Sequence, residues 1–302
     1  MTILPALRYL PLSVLRAAAQ AVAWWLKRSP HKSMLWKTRV NIALAYPERT
    51  DQQQEQLARQ SIEEQCLSYV ESLKCWAMPA AWSVAQIRHV EHLERLTTAL
   101  KNPNGALIIT PHLGVWEMMN AWVHQYGTPT ILYKPMQNPH INAFVLQARQ
   151  RLHAQLVATD ASGVKALFKT LKQGGFGVIL PDHVPQPSGG IDAAFFGVET
   201  LSSTLASKMA QKTRCALIGL SCFRREDGQG FDVYCDALND AALYDSDLQT
   251  ATTALNHAIE HMIVRNAASY MWGYKRFKHI AAHDDVYALE IEHIRQWRRK
   301  LL

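Results

Sequence analysis

Residues 106–117 read Ala106-Leu-Ile-Ile-Thr110-Pro111-His112-Leu-Gly114-Val-Trp116-Glu117. The first five are apolar or β-branched without alternation, the pattern of a short strand covered on both faces. Asn102-Pro-Asn-Gly105 just before it is a turn signal. Trp116–Tyr126 just after it has helical character. A buried strand, a Gly-containing loop and a helix in that order form the unit from which parallel sheets are built. The same alternation continues downstream. Thr130–Tyr133 reads as a strand and Asn138–Arg151 as a helix. Ala161–Lys172 is helical, Gly177–Leu180 is a second buried strand, and Ser202–Lys212 is helical. Ala216–Phe223 and Phe231–Cys235 read as paired strands around Asp227-Gly228. Upstream, Gln52–Trp76 is one long amphipathic helix ended by Pro79. Leu248–Asn266 and Asp284–Leu301 are C-terminal helices. The expected fold is α/β, a mostly parallel or mixed sheet sandwiched by helices.

Composition narrows the function. The chain has 302 residues, 48% of them hydrophobic and 19% charged, which excludes collagen, disorder and a coiled coil. A mean hydropathy of −0.13 excludes a polytopic membrane protein. The net charge is +7, and all of that excess falls in residues 1–40, which hold Arg8, Arg16, Lys27, Arg28, Lys32, Lys37 and Arg39 and no acidic residue. A body that sums to zero argues against a nucleic-acid partner. Residues 3–26, ILPALRYLPLSVLRAAAQAVAWWL, are too interrupted by Arg8, Arg16, Pro5 and Pro11 for a clean membrane span, which needs about 20 apolar residues. Arg16 also breaks the continuous apolar region that a cleaved signal peptide requires. The composition is that of an interfacial, Trp-tipped amphipathic anchor. The expected organisation is therefore a cationic membrane-associating arm over residues 1–40 and an α/β domain over 41–302. Five cysteines without a CxxC spacing fit a reducing compartment.

Sites in open α/β sheets collect beyond the C-terminal ends of strands. His112 leaves the strand end, Gly114 allows a tight turn, and Glu117 sits in the first helical turn. In a continuous helix an i, i+5 pair would diverge by about 140°; with His112 in the loop the two side chains can converge. A carboxylate beside an imidazole fixes its tautomer and stabilises the imidazolium. His112 is thus a candidate general base for a hydroxyl, with backbone N–H groups near Gly114 as candidate oxyanion donors. The bland alternative is a helix-capping histidine beside an unrelated glutamate. The next strand ends present Tyr133-Lys134-Pro135 with Asn138-Pro139, and Pro181-Asp182-His183. Lys134 would supply positive charge to an anionic head group, and Asp182 would orient it or a backbone amide.

These residues resemble the lipid A late acyltransferases, within the lysophospholipid acyltransferase superfamily. His112–Glu117 matches the family's H-x4-E/D motif, and Tyr133-Lys-Pro-Met-Gln-Asn-Pro139 its Tyr-Arg-Pro…Asn-Pro block. Arg149-Gln-Arg151 is similar to its Arg-x-Arg. Pro181-Asp-His183 with Ser188…Phe195-Phe196-Gly197, Asn41-Ile-Ala-Leu-Ala-Tyr-Pro-Glu48, and Tyr270-Met-Trp…Lys275-Arg276-Phe277-Lys278 follow the family's order. Two departures stand out: Lys134 replaces an Arg, losing the bidentate fork, and Val184 stands where the family often has a second Asp. The resemblance implies a glycerolipid-acyltransferase-like fold. It implies transfer of a fatty acyl chain from a phosphopantetheine thioester on acyl carrier protein to a hydroxyl of a lipid A precursor, at the cytoplasmic face of the inner membrane. An acyl thioester is already activated, so no metal or other cofactor is expected. His112 and Glu117 would be catalytic, and Lys134, Asn138, Arg149, Arg151 and Asp182 would bind substrate. Acylation of another lipid acceptor, and a catalytically inactive lipid-binding protein, are the alternatives. His257-Ala-Ile-Glu-His261 fits an inverted zinc-protease pattern but lacks a distant third ligand beyond Glu290 or Glu292. The run Arg295…Arg298-Arg-Lys300 reads as a solvated helix end, with membrane or carrier-protein contact as the alternative.

Overall fold

The computed structural model describes residues 4–28, 33–134, 138–151 and 154–301. The helices are α1 (Leu12–Leu26), α2 (Met34–Ala45), α3 (Asp51–Ala77), α4 (Ala80–Gln86), α5 (Leu93–Ala99), α6 (Trp116–Val123), α7 (Pro139–Gln150), α8 (Ala161–Lys172), α9 (Leu205–Thr213), α10 (Leu248–Arg265) and α11 (Ile291–Arg299). The strands are β1 (Ile87–Glu91), β2 (Ala106–Ile109), β3 (Thr130–Tyr133), β4 (Gln155–Ala158), β5 (Phe176–Ile179), β6 (Gly190–Phe195), β7 (Val198–Ser203), β8 (Ala216–Arg224) and β9 (Phe231–Ala237). The chain divides into two compact units. One comprises residues 1–16, 68–180 and 208–239, and the other 17–67, 181–207 and 240–302.

The first unit holds a seven-stranded sheet in the order β1-β9-β8-β2-β5-β3-β4. Five strands, from β8 to β4, run parallel; β9 turns back on β8, and β1 runs parallel to β9. The sheet is therefore mixed and mostly parallel, flanked by helices, as the strand–helix alternation requires. β2 and β5 lie at its middle, in register from Ala106 opposite Phe176 to Ile109 opposite Ile179. All of their residues are buried, which explains why they carry no polar alternation. The core beneath the site packs Ile108, Val178, Ile218 and Leu220 of the sheet against Met118, Met119 and Trp122 of α6.

The second unit contains the β6–β7 hairpin and the helices α2, α10 and α11. The hairpin differs from the sequence-based expectation, which names no strand between residues 180 and 202 and begins a helix at Ser202. Ser202 instead lies in β7, and α9 starts three residues later. The hairpin turn holds Phe196 at φ +50° and Gly197 at φ +67°, the backbone of a two-residue turn that Asn-Gly ordinarily marks. A phenylalanine there hides the signal. It is held because its N–H donates to Glu260 Oε1 at 2.7 Å and its ring packs on Tyr46 and Trp272. Glu260 is the acidic residue of the His257–His261 pattern, so that carboxylate braces a turn.

The N-terminal segment folds as a short 3-10 helix, Leu4–Tyr9, followed by α1. Leu15, Ala19 and Ala23, spaced i, i+4, i+8, are buried, while Val14, Val22, Trp24 and Trp25 are exposed. No helix of the described residues is long and apolar enough to cross a membrane. The positive charge is less free than the composition implies. Arg16 pairs with Glu71 at 2.8 Å, Lys27 with Glu63 at 3.1 Å, and Arg39 bidentately with Glu55 at 2.6 and 2.7 Å, all three carboxylates on α3. Lys32 lies outside the described residues. In the C-terminal cationic run Arg295 and Arg298 are buried, whereas Arg299 and Lys300 are exposed. Arg295 bonds Gln54 and Glu292, Arg298 donates to the carbonyls of Leu44 and Phe196, and Arg299 pairs with Asp51.

Candidate active site

The loop after β2 is stitched to the neighbouring strand. Val115 N–H donates to the Cys222 carbonyl of β8 at 2.8 Å, and Gly114 bridges Cys222. Leu113 N–H turns back to the Pro111 carbonyl at 2.7 Å. Gly114 sits at φ +63°, and a Cβ there would lie 2.1 Å from the Cys222 carbonyl oxygen. Only glycine lets the loop lie this close to β8 and enter α6 at Trp116. His112 is thereby fixed at the strand end with its ring edge-on to Trp116, centroids 5.2 Å apart. The N–H groups of Leu113 and Val115 are both committed within the fold, so neither is an oxyanion donor.

Glu117 occupies the first turn of α6 and is 2% exposed. A buried carboxylate is costly unless paired, and this one is gripped from two helices. Arg149, in the last turn of α7, forms an ion pair with Oε1 and reaches Oε2 through Nε at 3.4 Å. Trp76, in the last turn of α3, donates its indole N–H to Oε2 at 2.8 Å. Burial works against the Arg149 charge, but Glu117 more than offsets it and holds the guanidinium above its ordinary value. The Arg149 head also lies 5.6 Å from the centroid of the Tyr133 ring at the end of β3, and the Tyr133 hydroxyl donates to Asn142 of α7.

The remaining expected site residues fall in two places. Lys134 follows β3 directly and is exposed. Asn138 is the N-cap of α7, its Oδ1 accepting from His140 N–H at 3.0 Å and Ile141 N–H at 3.2 Å. Pro135, Met136 and Gln137 of the same block lie outside the described residues. Arg151 donates to the Trp76 carbonyl at 2.7 Å. His112, Glu117, Lys134, Asn138, Arg149 and Arg151 all belong to the first unit, and Asp182 belongs to the second. There Asp182 is 1% exposed and accepts the Tyr270 hydroxyl. Burial first, and the Asp182 charge second, push that hydroxyl well above its ordinary value. Arg276, fully enclosed beside them, donates to the Leu201 carbonyl and the Ser202 hydroxyl.

The residue that sequence reasoning missed is Trp76. It closes the amphipathic stretch read over residues 52–76, and no spacing ties it to Glu117, 41 positions later. Trp76 continues the apolar face of that helix at i+3 from Leu73 and i+7 from Tyr69, so it reads as one more packing residue.

A profile of the family described as bacterial lipid A biosynthesis acyltransferase matches residues 1–279. The chain belongs to that family. Among its curated relatives is the lipid A biosynthesis lauroyltransferase of Escherichia coli K12, 26% identical over 242 residues that cover 79% of this chain and 77% of the relative. The lipid A biosynthesis palmitoleoyltransferase of the same organism is 23% identical over 246 residues, 80% of this chain and 77% of the relative. A phosphatidylinositol mannoside acyltransferase of Mycolicibacterium smegmatis is 25% identical over 190 residues, 59% of this chain and 57% of the relative. This family member is an enzyme, a transferase of acyl groups other than aminoacyl groups; a catalytically inactive lipid binder is not the reading that this membership supports.

Proposed function

We propose that this acyltransferase moves a fatty acyl chain from a thioester on acyl carrier protein to a hydroxyl of a lipid A precursor at the cytoplasmic face of the inner membrane. The observation that carries the chemistry is the 110–117 loop, which a glycine bridge to β8 holds so that His112 stands at the strand end and Glu117 is buried one helical turn beyond. In this reading His112 takes the proton of the acceptor hydroxyl as its oxygen attacks the thioester carbonyl. A C–O bond forms and, as the tetrahedral intermediate collapses, the C–S bond breaks. The imidazolium then returns the proton to the departing thiolate. Glu117 holds the imidazole and offsets its charge; a carboxylate has about four acceptor positions, so the bonds from Trp76 and Arg149 leave room for an imidazole N–H. Exposed Lys134 is the anion contact for a phosphate of donor or acceptor. Asp182, held by Tyr270, orients substrate or a backbone amide. No metal or cofactor enters the scheme, because the thioester supplies the activation.

The outer face of α1 gives the enzyme its membrane contact. Val14, Val22, Trp24 and Trp25 are exposed there, as an interfacial helix requires. Arg16, Lys27 and Arg39 are already paired, so the cations that remain exposed beside this apolar face are Arg8 and Arg28 among the described residues of the arm.

The likeness to phosphatidylinositol mannoside acyltransferases favours one second reading, in which the acceptor is another glycolipid. Mass spectrometry of the lipids of cells with and without the gene separates the two. A lipid A lighter by one acyl chain in the deletion supports the first reading. Unchanged lipid A with a changed glycolipid supports the second. With purified protein, normal turnover of acyl carrier protein thioester by both His112→Ala and Glu117→Ala refutes the catalytic assignment.

A further inference from the structure

The last turn of α3 meets Glu117 at two points. Cys75 Sγ donates to the Glu117 main-chain carbonyl at 3.4 Å, and Trp76 Nε1 donates to the carboxylate at 2.8 Å. Trp76 is itself held from below, since Arg151 Nη2 donates to its carbonyl at 2.7 Å. Arg149, two residues earlier, takes the other carboxylate oxygen. The Arg-x-Arg pair at the end of α7 therefore reaches Glu117 by two routes, one direct and one through Trp76. Both arginines are engaged with protein groups, which is the chemistry of a seat for a carboxylate. Arg149 is also boxed against the Tyr133 ring, so its fork is fixed before any substrate arrives.

We propose that Trp76 is a positioning residue for Glu117, and that Arg149 and Arg151 complete the same seat instead of binding substrate phosphate. This rests on the reading of His112 and Glu117 as the catalytic pair. The indole bond fixes one rotamer of the carboxylate and leaves its remaining acceptor positions facing the loop. Arg149 supplies the countercharge that the buried carboxylate needs. Specificity for the acceptor then lies elsewhere, and Lys134, exposed at the end of β3, is a cation outside the seat.

The test is a double-mutant cycle on the purified full-length enzyme, with acyl carrier protein thioester as donor and lipid A precursor as acceptor. Trp76→Phe keeps the ring and removes the N–H. It is expected to lower kcat about ten- to hundredfold, with the acceptor KM within about twofold. Arg149→Gln is expected to act in the same way. In a Glu117→Gln background, neither change is expected to reduce the residual turnover further, because a residue acting only through the carboxylate has nothing left to act on. A merely structural role would instead stay additive, and unfolding midpoints measured on every variant identify it. Arg151→Gln, which loosens the seat without touching the carboxylate, is expected to lower kcat by a smaller factor with the same non-additivity. A raised acceptor KM with unchanged kcat in Arg149→Gln makes Arg149 a phosphate ligand and overturns the proposal. So does normal turnover, or an additive loss, in Trp76→Phe while Glu117→Gln is impaired. If Glu117→Gln itself turns over normally, the catalytic pair falls and the seat loses its role with it.

Discussion

Replacing Gly114 by alanine tests whether the fold of the loop, and not the mere presence of His112 and Glu117, makes the site. The backbone at Gly114 has φ +63°, a conformation that costs an L-residue roughly 1–2 kcal/mol. The new Cβ would stand 2.1 Å from the Cys222 carbonyl oxygen and 3.0 Å from its carbon. Both are backbone atoms of β8, inside the buried sheet, so the loop and not the strand has to give. Moving the Cβ to an ordinary contact means displacing the loop by about 1 Å. That stretches the 2.8 Å bond from Val115 N–H to the same carbonyl, forfeiting about 0.5–1.5 kcal/mol. The total destabilisation is about 2–3 kcal/mol, or about 3–5 °C in unfolding midpoint for a chain of 302 residues. His112 lies two residues upstream, and a misplacement of about 1 Å at a reacting group costs on the order of a hundredfold in rate. The assay is steady-state transfer from acyl carrier protein thioester, paired with thermal unfolding. Gly114→Asn sharpens the result. Asparagine tolerates the left-handed conformation but carries the same Cβ, so it should stay impaired in rate while recovering part of the stability. Wild-type kcat in Gly114→Ala would refute the argument that β8 positions the loop. Full recovery in Gly114→Asn would show that backbone strain alone, and not the approach to Cys222, is the cause.

Glu71→Ala removes the fully buried carboxylate between Arg16 and Arg224. Removing the countercharge shared by two largely buried guanidinium groups should cost about 3–5 kcal/mol, read as a fall in denaturant midpoint with an unchanged slope. Acid stability follows from Glu55, whose carboxyl feels burial raising it but whose bonds to Arg39 and Arg59 bring it below its ordinary value of 4.5. The native state then binds fewer protons than the unfolded chain. The stabilisation is present above about pH 4.5 and is lost as pH falls through the lowered native value; the Arg39→Gln variant should show a shallower loss in midpoint over that window. Trp24→Ser and Trp25→Ser should each weaken binding to anionic phospholipid vesicles by roughly tenfold, from the apolar burial they forgo. Because Arg16, Lys27 and Arg39 are paired on α3 while Arg8 and Arg28 stay exposed, that binding should weaken with salt less than seven free cations would dictate, read in a sedimentation assay; a steep salt dependence would return the arm to an electrostatic role.

What could be read from the sequence follows the physics of each element. β2, β3 and β5 are legible because a strand covered on both faces has no choice but a continuous apolar run. The helices α7 and α8 are legible because Asn138 and Asp160 cap them with a side-chain acceptor. β1 and β4 are edge strands, half-exposed and without such a run. The β6–β7 turn is hidden because Phe196 adopts a glycine-like backbone for reasons found only in Glu260, Tyr46 and Trp272. The site divides along the same line. His112, Gly114 and Glu117 lie within six residues, so local geometry suffices to relate them. Trp76 and Arg149 reach Glu117 from positions 41 residues before and 32 residues after it, and no spacing rule connects one helix end to another. Net charge behaves likewise: the sequence counts seven cations in the first forty residues but cannot see that three of them meet carboxylates of α3. A one-dimensional excess becomes an address only for charges that the fold leaves unpaired, which is why the apolar face of α1, and not its cations, is the stronger case for membrane contact.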